Sequence, residues 1–228
     1  MDFIAPRATL DRQMADLRVR IIRMGELATG QLERVLAAVE TRDVALAKNV
    51  AAADHDLDRG ESEIEQLALK IMALQQPEAH DLRVLVSAVA IAGSLERIGD
   101  HAKTIAKRLP RAEVLAALPD DGLAGIGAAA LGLLRQVMQA FVEEDATLAL
   151  TVRDQDAELD RLHDLTVERI VTAMEQNRHC VRAGVFLIHA ARNLERIGDH
   201  ATNIAERIHF EARGTKPKEA RRRAEPVS

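Results

Sequence analysis

The chain is predicted to be all-α, two tandem three-helix bundles related by an internal pseudo-twofold duplication, and three observations predict it. The stretch Leu95-Glu96-Arg97-Ile98-Gly99-Asp100-His101-Ala102 returns letter for letter as Leu194-Glu195-Arg196-Ile197-Gly198-Asp199-His200-Ala201, 99 positions later. Eight matching residues in a chain of 228 mark a duplicated unit. Apolar residues recur at alternating intervals of three and four, the period of an amphipathic helix. The composition is 47% hydrophobic and 29% charged with only six prolines and few β-branched or aromatic runs, which leaves little material for strands.

The first helix is read from Leu10, Met14, Leu17, Ile21, Met24, Ala28, Val35 and Val39, with Thr9 or Asp11 as its cap. A break at Thr41 to Asp43 follows, and Asp43 starts a second helix carrying Leu46, Val50, Ala53, Leu57, Ile64, Leu67 and Ile71 on one stripe. Asp54, Asp58, Glu61 and Glu65 form an acidic edge beside that stripe. The third helix begins after Pro77 and runs to about Leu109, where Pro110 stops it. Its core stripe is Val84, Ile91, Leu95, Ile98, Ala102, Ile105 and Leu109. Long helices with seven-residue periodicity and short turns pack antiparallel in a coiled-coil manner.

Residues 1–110 thus form the first bundle. Pro110, Pro119, Asp120, Asp121 and Gly122 mark residues 111–122 as a linker. The pattern then restarts over residues 123–212: Val39 matches Phe141, Asp43 matches Asp145, and Leu57-Asp58 matches Leu159-Asp160, at an offset of 102 that drops to 99 in the third helix. The first copy therefore holds three extra residues near Gln75 to His80. Residues 213–228, with Lys216, Lys218, Arg221, Arg222 and Arg223, read as a basic, disordered tail.

A formal net charge of −5 argues against general affinity for nucleic acid, and four Phe without Trp or Tyr leave almost no base-stacking surface. Cys180 is alone, which excludes an intrachain disulfide and suits a reducing compartment. Met1 to Leu10 shows no apolar run behind a basic start, so no secretory leader is expected there. The longest uncharged runs, Val84 to Leu95 and Gly122 to Leu134, fall short of the roughly 20 residues a bilayer asks for. A cytoplasmic protein without membrane insertion is the expectation.

Chemistry concentrates in the repeated stretch. Glu96 and Asp100, and again Glu195 and Asp199, stand four residues apart, which stacks two carboxylates on one helix face. A helical wheel turns them away from the core stripe, so their ionisation is expected to cost little. With Asp54 and Asp58 in the first copy and Asp156 and Asp160 in the second, each bundle gathers four carboxylates if the acidic edge lies beside the pair. Glu61 and His163 are possible additions. Oxygen-rich clusters of this kind suit divalent or trivalent cations such as iron, zinc, manganese or magnesium, singly or as multinuclear clusters. The competing reading is a solvated face on which Glu96 and its neighbours pair with basic residues of their own helix.

Gly99 and Gly198 each sit inside a helix, where glycine costs about 0.5–1 kcal/mol relative to alanine, so a close approach by another helix or a ligand is expected there. Arg97 and Arg196 are candidate partners for the carboxylates, and His101 and His200 are read as supporting or structural. No phosphate-binding glycine loop, nucleophile elbow or paired cysteine occurs, and the single Glu-x-x-His, Glu206 to His209, is one short of a di-iron bundle. An enzyme is not expected.

The duplicated LERIGDHA, the following Asn203-Ile204-Ala205-Glu206, and the upstream Asp54/Asp58 and Asp156/Asp160 resemble the PhoU family of phosphate-uptake regulators over residues 8–210. The resemblance implies two tandem three-helix bundles and a non-enzymatic cytoplasmic accessory of the phosphate-specific ABC transporter. Such an accessory represses phosphate uptake and the starvation response, touches the transporter ATPase and the PAS region of a sensor histidine kinase, and often forms a homodimer. It also implies metal clusters held by Asp54, Asp58, Glu96, Asp100, Asp156, Asp160, Glu195 and Asp199. Thr104 stands where the second copy has Asn203, and Glu61 where it has His163, so the two sites need not hold the same metal. The alternative is a metal-independent helical adaptor that docks partners directly through its acidic faces.

Overall fold

A computed structural model describes residues 6–52, 55–110, 114, 122–215 and 217. Among these the chain forms α1 (Pro6–Glu40), α2 (Val44–Ala52), α3 (His55–Leu74), α4 (Ala79–Arg108), α5 (Leu123–Glu143), α6 (Ala146–Gln176), a 3-10 turn (Arg178–Cys180) and α7 (Val181–Arg213), with no strand. The expected second helix is thus described as α2 and α3 on either side of residues 53–54, whereas its counterpart α6 is continuous. Asp54, most of the expected linker and nearly all of the expected tail lie outside the described residues.

The duplication reaches down to the turns. Asp43 Oδ1 accepts the backbone N–H groups of Ala45 and Leu46 at 2.8 and 2.9 Å, and Asp145 Oδ1 does the same for Thr147 and Leu148 at 2.8 and 3.0 Å. Each caps a helix by satisfying donors that have no intrahelical acceptor. Just before them, Arg42 (φ 57°) and Glu144 (φ 55°) occupy the left-handed region at equivalent positions.

Each bundle closes on its third helix. In the first, Leu57, Ile64, Ile71, Ile91, Leu95, Ile98 and Ile105 are at most 2% exposed, and each such side chain contributes roughly 1.5–3 kcal/mol by leaving water. The helical glycines permit this packing: a Cβ on Gly99 would stand 2.3 Å from Leu57 Cδ1, and one on Gly198 would stand 2.1 Å from Leu159 Cδ2. The close approach expected at these glycines is therefore made by a leucine of the preceding helix.

The two bundles share one core. α4 and α7 lie side by side and antiparallel, since Ser87 Oγ donates to the carbonyl of Arg207 (3.4 Å) while His101 meets Asn193 fourteen residues further on. α1 and α5 join as well: Arg18 donates to the carbonyls of Phe141 and Val142 at 2.7 and 3.0 Å, pairs with Glu144 at 3.0 Å and lies 4.9 Å over the Phe141 ring. Carbonyls of the last turn of α5 thereby gain a charged donor from the other bundle. Burial pushes Glu211, which lines a cavity of about 410 Å³ at this junction, up to about 7, with Arg18 opposing and Glu144 adding to the shift.

α5 is long and apolar enough to cross a membrane by length and composition, but Ile126, Ala130, Leu134, Val137 and Ala140 are wholly buried in the bundle. Arg135 on its outer side pairs with Glu33 of α1 at 2.7 Å. This is the pattern of a core helix.

Candidate functional site

The motif helices α4 and α7 put each Glu/Asp pair on the edge of its own bundle. The core stripe of Leu95, Ile98 and Ala102 faces inward, and one turn of helix separates Glu96 from Asp100 on the side that α3 leaves partly covered. The expectation that ionising these carboxylates costs little is corrected here. The Glu96 and Glu195 side chains are only 13% and 15% exposed, while Asp100 and Asp199 are 37% and 25% exposed. A helical wheel treats a position as inside or outside, whereas the neighbouring helix covers the base of a long side chain on the boundary.

Partial burial has an electrostatic consequence. Loss of solvent, then the charges of Asp100 and Glu61, raise Glu96 to about 7, against the pull of Arg97. Burial and the charge of Asp199 also raise Glu195, but Arg192, His163 and Arg196 oppose the shift. The distances agree. Arg192 Nη1 lies 2.8 Å from Glu195 Oε1, whereas the basic group beside Glu96 among the described residues is Arg97 Nε at 3.4 Å. At the position equivalent to Arg192 the first copy has Gly93, where a Cβ would stand 3.3 Å from Glu61 Oε1. The first pair is thus crowded by a third carboxylate and the second is relieved by a guanidinium and a histidine.

The remaining expected ligands differ in burial. Asp58 is exposed in the first turn of α3, and Asp160 is half-buried on α6. Asp156 is fully buried against α7, its Oδ1 3.0 Å from where a Cβ on Gly198 would stand. Among the described residues no three His, Cys, Asp or Glu side chains sit close enough to hold one metal ion. The donor chemistry nevertheless suits a hard cation. Both pairs offer carboxylates whose charge is held at a cost, and Glu195 Oε2 is buried without a hydrogen bond.

His101 and His200 turn inward from this edge and meet each other, ring centroids 5.5 Å apart. Asn193 Nδ2 donates to the carbonyl of His189, leaving Asn193 Oδ1 to accept from His101 Nδ1 at 2.9 Å. Burial, then His101, hold His200 down to about 4, so it is a neutral part of the helix interface. Sequence reasoning missed Arg192 and Asn193. The spacing of Arg192 three residues before Glu195 was a readable signal for the first, but the second depends on which helix lies opposite.

Residues 21–109 and 123–208 each match the PhoU domain, one match per bundle. The chain belongs to the PhoU family. It is 41% identical over 205 residues to a phosphate-specific transport system accessory protein PhoU homolog of Caulobacter vibrioides, covering 89% of each chain. A homolog of the same description from Pseudomonas aeruginosa is 32% identical, over 89% of this chain and 85% of its own. The crystal structure of PhoU from Pseudomonas aeruginosa superposes with a TM-score of 0.84 at 32% identity, over 90% of this chain and 99% of that one. PhoU from Streptococcus pneumoniae gives 0.85 at 25% identity, over 92% and 100%.

Proposed function

We propose that this chain is a regulatory adaptor of phosphate homeostasis, which lowers phosphate uptake and starvation signalling by contacting the phosphate ABC transporter ATPase and the PAS region of a sensor histidine kinase. The observation that carries the reading is family membership across both bundles, with relatives described as accessory proteins of phosphate-specific transport. The reading places the protein in the cytoplasm, as a homodimer, and assigns it no catalysis of its own. Deleting the gene is expected to raise phosphate uptake and switch on a starvation reporter in phosphate-replete cells. Unchanged uptake and reporter output would sink the reading.

Within it, the acidic pairs are cation sites: Glu96 and Asp100 with Glu61 beside them, and Glu195 and Asp199. Asp54 and Asp58 are the further carboxylates of the first copy, and Asp156 and Asp160 those of the second. A bound cation supplies positive charge that stabilises ionised Glu96 and Glu195 and draws the pairs into one rigid surface. The chain's own residues do the rest: Arg97 and Lys103 hold Asp100 at 3.5 and 3.6 Å, and Arg196 lies 3.7 Å from Asp199. Elemental analysis of protein purified without chelator checks this part, and a metal-free result with full regulatory activity would remove it.

The metal-independent adaptor is supported by a specific observation. All four motif carboxylates lie within 4 Å of a basic side chain on their own helix, a self-sufficient arrangement at a surface. In that case chelation leaves partner binding untouched and added salt weakens it.

A further inference from the structure

The two ends of the central helix pair repeat one surface pattern and then diverge. Leu82 and Val86 at the start of α4 are 41% and 48% exposed, and Val181 and Val185, at the equivalent positions of α7, are 43% and 60% exposed. Large apolar side chains one turn apart, left in water in both copies, form a helix-spaced stripe of the kind that partner surfaces use. An arginine stands beside each stripe, Arg83 or Arg182. Because α4 and α7 are antiparallel, a second comes from the end of the opposite helix, Arg207 or Arg108.

At the α4 end the apolar stripe is exposed but its arginine is packed. Arg83 Nη2 lies 3.4 Å from His80 Nδ1, and the turn that ends α7 lies against the guanidinium, within ordinary contact distance of Gly214. At the α7 end the surface is open. A groove of about 530 Å³ is lined by Arg108, Arg182, Arg192 and His189 around Val185 and Ile188. Ala90 and Gly93 are the counterparts of His189 and Arg192 in the first copy, so the second copy alone built up basic side chains here.

No carboxylate is among the groove's described lining residues, in a chain whose net charge is −5. Arg192 is engaged by Glu195, but Arg108 and Arg182 have no acidic partner among the described residues. Two free guanidiniums flanking an apolar floor are complementary to one kind of ligand: a helix with an apolar stripe on one side and carboxylates beside it. We propose that this groove docks an acidic amphipathic helix of a partner protein, its apolar face on Val185 and Ile188 and its carboxylates on Arg108 and Arg182. The proposal rests on the adaptor reading and adds to it the chemistry of the segment that is bound.

The test uses the full chain and a fluorescein-labelled helical peptide with Leu at i, i+4 and i+7 and Glu at the other positions, followed by fluorescence anisotropy. The expected result is binding with a Kd on the order of 10 μM, screened by added salt. Val185→Glu, and Arg108→Gln combined with Arg182→Gln, weaken it about tenfold or more. Val86→Glu at the α4 end leaves it unchanged. Circular dichroism checks that each exposed-site variant folds. Unaltered affinity in the groove variants, equal binding of a peptide with Lys in place of Glu, or loss through Val86→Glu overturns the proposal. So does a Val185→Glu variant that converts a dimer to a monomer in sedimentation while wild type binds no peptide, because the groove then belongs to a second copy. Failure of the peptide with phosphate repression intact removes the groove alone, whereas loss of any regulatory effect of the gene removes the adaptor reading.

Discussion

Glu96 and Glu195 occupy the same position of an identical octapeptide, on helices of the same length class, against the same leucine–glycine contact. Of the differences outside the octapeptide, two act on the glutamates themselves. Glu61 faces the first pair and His163 the second; Gly93 precedes the first and Arg192 the second. Burial presses both glutamates toward protonation; neighbouring carboxylates add to this at Glu96, whereas a guanidinium 2.8 Å away opposes it at Glu195. Duplication kept what the core needs and let the charge around the exposed edge drift. Core contacts are short-ranged and tolerate no change of volume, whereas a charge one turn away is adjustable by a single substitution.

The leucine–glycine contact is the feature the two copies share most closely. Gly99→Val and Gly198→Val each drive a side chain into the leucine opposite, and each is expected to destabilise the fold by about 3 kcal/mol in urea denaturation. A large effect in one copy only would break the claim that the cores are equivalent.

The charge difference is read next with terbium luminescence. The first pair is expected to bind the ion more tightly, Arg192→Gln to strengthen the second pair about tenfold, and Gly93→Arg to weaken the first by a similar factor. Equal affinities, unmoved by either substitution, would show that the surroundings do not matter.

A smaller effect lies in the pH dependence of chelator-treated protein. The folded protein holds Glu96 at about 7, above the ordinary 4.5, so its contribution to stability is full at low pH and is lost as pH rises through about 7. Glu96→Gln should flatten that loss in denaturation curves taken between about pH 5 and about pH 8. Glu195→Gln should flatten it less, because Arg192 and His163 already favour the charged form. The smallest effect is expected at the helix ends: Arg42→Gly relieves a left-handed backbone and should raise stability by up to about 1 kcal/mol. Glu144→Gly should gain less, since it also removes the ion pair with Arg18.

Much of the fold was legible because the governing contacts are periodic. The stripe through Ile91, Leu95, Ile98 and Ala102 is buried as its spacing predicts, α4 begins just past Pro77 and ends just before Pro110, and Asp43 and Asp145 cap helices at matching places. The candidate site was only partly legible. The Glu/Asp pairs lie on one face of each motif helix, but their partial burial, the full burial of Asp156 and the exposure of Asp58 depend on how deeply α3 and α6 cover the boundary.

By itself the amino-acid sequence determined the helices, the duplication, the faces that carry the core and the residues that carry charge, because each follows from spacing along one chain. Folding alone brought the two motif helices together through His101, His200 and Asn193, set the charge of Glu61 against Glu96 and Arg192 against Glu195, and put a basic groove beside one of the two repeated apolar ends. These are properties of residues far apart in the chain, and neither helical period nor composition specifies which surfaces are brought face to face.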